Sequence, residues 1–143
     1  MNSAIGHSDM GEGLTSFQRR LKAIPQAARN SLAVPLAEAA KIVADTQASL
    51  APHDTGALIA SIAVTPPGGT TPPYSQPGGS KIVGSLSAAV TVGNTDVRYG
   101  HLVEYGTKQV EAQPFFWPGF RLSRKRAAGK IKRAISKAIK GVK

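Results

Sequence analysis

The chain's three histidines are His7, His53 and His101, and two of them have an acid close by in sequence: His53 precedes Asp54, and His101 lies three residues before Glu104. On a helix, His-x-x-Glu places an imidazole and a carboxylate on one face, which is how a metal site or an acid–base pair begins. A metal site, however, needs three or four ligands and a supporting shell of hydrogen bonds, and no second cluster of His or acid is present. Asp54 and Glu104 would serve as a carboxylate pair only if the fold joined them, and nothing in the sequence does so. No Gly-rich strand-to-helix phosphate motif occurs, and no nucleophile elbow. There is no Cys, so thiolate nucleophiles, disulfides and thiolate metal sites are excluded. These residue types assign neither a catalytic group nor a metal ligand, and the reading is of a protein that is not an enzyme.

The other chemistry on offer is charge. The net charge of +10 arises from 18 basic and 8 acidic residues, unevenly spread. From Arg121 onward there are ten basic residues and no acid, so residues 1–120 are neutral. Arg124, Lys125, Arg126, Lys130, Lys132, Arg133 and Lys137 form the centre of this basic segment. Three uses of it stand open: a solvated face that confers solubility, salt-sensitive contact with nucleic acid phosphates, and docking to an acidic protein. A membrane surface is the weakest use, since no Trp or Phe follows Phe120. No apolar run approaches the roughly 20 residues that span a bilayer. The first residues have neither a basic n-region nor an apolar h-region. A soluble protein made in a cytoplasm is expected.

The elements that must carry these residues follow from pattern. Residues 1–13 are small, polar and Gly-containing, and read as a flexible arm; residues 14–143 read as one domain. Leu14 to Ala23 is a short helical run in which Phe17, Leu21 and Ile24 are spaced by four and three, closed by Pro25. Gln26 to Leu50 is a long Ala-rich helix with Leu32, Leu36, Ala39, Val43 and Leu50 near one face, kinked or split near Ala33 by Pro35. Asp54, Thr55 and Gly56 form a turn, and Leu58 to Thr65 reads as a β-strand. Residues 65–80 hold five of the ten prolines and four of the fifteen glycines, and read as a long projecting hairpin loop, either a floppy connector or one that reaches a neighbouring subunit or lines a channel with Tyr74 as its one anchor. Lys81 to Asn94 is the best β region, ending in the turn Gly93-Asn94-Thr95-Asp96. A basic amphipathic helix spans 118–140, with Phe120, Ala127 or Ala128, Ile131, Ile135 and Ala138 or Ile139 on its apolar stripe. Between these last two elements, Arg98 to Phe120 gathers six of the eight aromatic residues, the material of a core or a subunit contact.

Two stretches resemble a known family. Pro52-His-Asp54-Thr55-Gly56-Ala-Leu58-x-x-Ser61, after an Ala-rich helix, is similar to the "aPvDTGxLxxSi" segment of the minor tail-component, neck or tail-completion (head–tail joining) proteins of long-tailed phages. Tyr99, then Val103-Glu104-Tyr105-Gly106-Thr107, then Gln113-Pro114-Phe115 resembles that family's second signature, "Y…vEfGT…qPF". Order and separation match, with a variable loop between. Departures are Tyr105 for the usual Phe, Trp117 just past Pro-Phe, and an enlarged loop.

The resemblance implies an α+β fold: an antiparallel β-sheet packed by the long N-terminal helix and the C-terminal basic helix, with the Pro/Gly-rich hairpin loop between strands. It implies a structural virion protein without a cofactor or small-molecule substrate, and with no membrane partner. Such subunits assemble as a ring, with a hexamer as the expected form, between adjacent neck or adaptor proteins and the tail tube, and phage DNA passes through the lumen. The signature residues are then structural, and Glu104 is expected to satisfy the Gly106-Thr107 turn or to pair with a basic residue.

Overall fold

The computed structural model describes residues 25–53 and 56–140. The expected arm, the helical run at Leu14–Ala23 and the turn residues Asp54 and Thr55 lie outside the described residues. Seven elements follow in order: α1 (Gln26–Asn30), α2 (Ala33–Leu50), α3 (Ala57–Ala60), β1 (Ala63–Thr65), β2 (Ala89–Thr91), α4 (Gly100–Tyr105) and α5 (Phe116–Lys140). The fold is α+β, a two-stranded antiparallel sheet with helices packed on it.

The expected break near Ala33 separates α1 from α2. Pro35 sits in the first turn of α2, where a helix has no use for the missing N–H. α2 and α5 run antiparallel as the main pair. Gln47 meets Gly119 near one end, Ala39 and Val43 meet Ala127 in the middle, and Ala28 and Leu32 meet Ala134, Ile135 and Ala138 at the other end. The contact face of α5 is made of small residues, with Gly119, Ser123 and Ala127 at four-residue steps, all buried. That row lets the two backbones come close. A Cβ on Gly119 would stand 2.5 Å from Cγ and 2.7 Å from Cα of Gln47. Ala127, Ile131, Ile135 and Ala138 pack inward as expected, whereas Phe120 is exposed and Phe116, Gly119 and Ser123 form the start of the contact face instead.

Two corrections concern strands. Leu58–Ala60 is the helical turn α3, and the strand begins only at Ala63. Gly56 enters α3 at φ 75°, and the Ser61 hydroxyl closes it by donating to the Leu58 carbonyl at 2.6 Å. The Lys81–Asn94 region is mostly irregular, and ladder pairing is confined to Ala63↔Thr91, Val64↔Val90 and Thr65↔Ala89, with isolated bridges at Ile82 and Val92. The Pro/Gly-rich connection between the strands is tied back to the sheet. Thr71 N–H donates to Lys81 O, Gln76 and Val92 exchange both backbone bonds, and Ser75 is fully buried. The turn at Gly93–Asp96 is as expected: Asn94 Oδ1 accepts from the N–H groups of Asp96 and Val97, both at 2.9 Å.

Candidate functional site

The two signature stretches meet in space. Leu58 from the first and Phe115 from the second share one buried cluster with Ala51, Val92, Val97 and Phe116. Phe115 is fully buried at its centre. Ser61 joins the same region to β2, since its hydroxyl accepts from Gly93 N–H at 3.1 Å while donating to Leu58 O. Gly93 itself has φ 101°, and a Cβ there would press on Val97 O at 2.9 Å. Pro52 is half-buried beside this joint.

Glu104 holds the second half together. It is buried on α4, and its Oε1 accepts from the N–H groups of Phe115 and Phe116, each at 2.9 Å, while Oε2 accepts from Trp117 N–H at 3.2 Å. The first intrahelical bond of α5 runs from Gly119 N–H to Phe115 O, so Phe115 is the N-cap. A helix leaves its first four N–H groups unpaired. Here three go to Glu104, and the fourth position is Pro118, which has none. A negative carboxylate at this end also complements the helix dipole. The expectation that Glu104 serves the Gly106-Thr107 turn or pairs with a basic residue is therefore corrected: its partner is the backbone of the last helix.

The neighbouring signature residues tighten the same joint. Val103 O accepts from Gln113 N–H at 2.8 Å. Tyr105 Oη accepts from the Trp117 indole N–H at 3.0 Å, joining the two residues at which this chain departs from the signature it resembles. Gly106 turns at φ 77°, where a Cβ would meet Ala112 N at 2.8 Å. Thr107 Oγ1 accepts from Gln109 and Val110 N–H and closes that turn itself. Tyr99 is the N-cap residue of α4, and its carbonyl accepts from Leu102 and Val103 N–H. Pro114 is exposed.

His101 is exposed on α4 while the Glu104 carboxylate faces α5, and His53 is exposed. Among the described residues no group of three or more His, Cys, Asp or Glu comes together. What the joint offers to the outside is apolar surface. Trp117 packs edge-on against Phe116 (5.0 Å) and Phe120 (6.3 Å), and Tyr105, Trp117 and Phe120 are exposed there. Of the nine described basic residues from Arg121 to Lys140, only Lys130 has a carboxylate partner, Glu38 at 3.6 Å. Arg124, Lys125, Arg126, Lys132, Arg133 and Lys137 are exposed. Tyr74 is half-exposed at φ 63°, with the Arg98 guanidinium 3.7 Å above its ring. Sequence reasoning missed Gln47, fully buried and donating through Nε2 to Phe116 O at 2.9 Å. A polar residue on the apolar face of α2 was the available signal.

Residues 15–106 match the model of the HK97-gp10-like family, described as a bacteriophage tail component, and the chain belongs to that family. The match covers the first signature and the second as far as Gly106; Gln113-Pro114-Phe115 and α5 lie beyond it. No curated protein and no solved structure matches the chain.

Proposed function

We propose that the protein is a structural subunit of the head–tail interface of a long-tailed phage, a neck, tail-completion or tail-terminator component that works as a ring in the virion. The family assignment supports a tail role. The observation that carries the finer reading is the exposed apolar surface around the α4–α5 joint, where Tyr105, Trp117 and Phe120 lie in the open. Exposed apolar groups in one contiguous region mark a protein contact. A ring uses heterologous contacts, one patch meeting a different one on the next subunit. The second patch is the edge of β2 that faces away from β1, paired among the described residues only at Val92. Tyr74, on the connection beside that edge, is the neighbouring anchor. Six copies close the ring, adaptor and tube proteins cover its two faces, and DNA passes through the lumen along the basic face of α5.

Removing the gene from its phage should leave DNA-filled heads and unattached tails. Electron microscopy of the purified protein, alone and with tails, should show rings and then capped tails. A protein that stays monomeric and never joins tails overturns the reading. A second reading, a nucleic-acid-binding protein acting through α5, is favoured by the unpaired cations of that helix. It requires salt-sensitive DNA binding by a protein that forms no ring.

A further inference from the structure

We infer that the apolar trough between α2, β2 and α5 receives the turn at residues 107–112 of a neighbouring copy of this chain. The inference rests on the ring reading above and adds the element that one subunit inserts into the next. The trough is a hollow of about 600 Å³ whose lining includes Leu36, Val43, Val90 and Ile131. Trp117 and Phe120 line it as well, so the exposed aromatic patch continues into it. An open apolar hollow of this size in a small domain marks a contact. Its only charged lining residues are Arg124 and Lys125, both exposed and without a carboxylate partner among the described residues. The occupant that suits it carries an acid beside an apolar group, as interfaces with a dry centre and a charged rim do.

The acids of the chain narrow the choice. Of the described carboxylates, Glu38 pairs with Lys130, Asp45 pairs with Lys41, and Glu104 is held by the start of α5. Asp96 and Glu111 are left without a cation. Asp96 is flanked by Thr95 and the buried Val97. Glu111 instead follows Val110, which is 56% exposed, in a run where every residue from 107 to 114 is exposed. The turn is also rigid. Thr107 N–H donates to Val110 O at 2.8 Å, Thr107 Oγ1 accepts from Gln109 and Val110 N–H, and Gln113 N–H donates to Val103 O. A turn fixed in advance loses little freedom on docking. None of residues 107–114 lines the trough of its own chain, and the bonds at both ends hold the turn where it is. A neighbour's turn is therefore the occupant, with Val110 in the hollow and Glu111 at Arg124 and Lys125. Turn and trough are different surfaces, so the contact is heterologous, the kind that generates a ring.

The test exploits the absence of Cys from the chain. Full-length Val110→Cys chains are mixed with Ala128→Cys chains, whose new thiol lies in the trough lining, and treated with a short bismaleimide. Dimer-sized cross-links should form in the mixture and be absent from either variant alone. Rings from the mixture without cross-links put a different occupant in the trough and overturn the inference while the ring reading stands. Cross-links within either variant alone overturn it too, and a wild-type chain that stays monomeric overturns both. Independently, Glu111→Arg and Arg124→Glu, both at exposed positions, should each lower the ring population about tenfold, and the double variant should regain it. Single variants that assemble like wild type, or a double variant that regains nothing, overturn the inference.

Discussion

Glu104 accepts from three consecutive backbone N–H groups with one side chain. Charge-assisted bonds to buried donors are the strong kind. Glu104→Gln keeps the length but removes the charge and turns an NH₂ group toward N–H donors. A loss of about 2–3 kcal/mol is expected, read as a lower urea midpoint with an unchanged slope. An unchanged midpoint would show that water satisfies the helix end equally well. Gly119→Ala probes the opposite face of the same turn. The new methyl meets the Gln47 backbone, which cannot rotate aside, so α2 and α5 must separate at a cost of about 1–3 kcal/mol. Ser61→Ala should cost about 1 kcal/mol, because Leu58 O loses its hydroxyl donor and Gly93 N–H keeps only its longer bond to Ser61 O at 3.3 Å. At this scale the sequence was partly readable. Asp-Thr-Gly and Glu-Tyr-Gly-Thr stood out as residues of consequence. A search for side-chain partners, however, cannot find a carboxylate whose partner is main chain eleven to thirteen residues away.

Among the elements, those with a long repeat were legible, and those set by local hydrogen bonds were not. The α1–α2 break and the course of α5 followed from Pro35, Pro118 and the apolar spacing. Leu58–Ala60 did not, since a short apolar run serves a strand and a buried helical turn equally well. Gly56 and Ser61, one at each end, decide it through φ and a hydroxyl bond. The three-residue β2 was overestimated because alternation at Ala88–Val92 continues past the point where a partner strand exists. The cations of α5 are tested as an element. Replacing Lys132, Arg133 and Lys137 with Gln leaves helix-forming residues in place. If these residues meet DNA in the lumen, the slope of log affinity against log salt becomes shallower by up to about 3, at roughly 0.9 per phosphate contact. Filter binding over a salt series reads this, and an unchanged slope removes DNA from that face.

For the molecule as a whole, the joint between the two signatures is the feature around which the rest is arranged. Leu58 and Phe115 are far apart in the chain and adjacent in the core, and their cluster fixes where the aromatic surface faces. The apolar surface left open at that joint is where the proposed assembly is tested. Tyr105 is 70% exposed at the aromatic patch, so Tyr105→Lys should leave unfolding within about 1 kcal/mol of wild type. The same variant should fail to assemble in electron micrographs. Retained rings would place the contact elsewhere.

The cap of α5 has an order in time as well as a place. Glu104 leaves the ribosome before any residue of the helix it caps. Starting a helix is the costly step, because several residues must be fixed before the first bonds repay them. The Glu104 carboxylate on α4 offers an acceptor to those first donors. The longest helix among the described residues, and the most strongly charged, thereby has a fixed starting point. That acceptor comes from a helix of only six residues, so a lesion in the short helix is felt at the start of the long one.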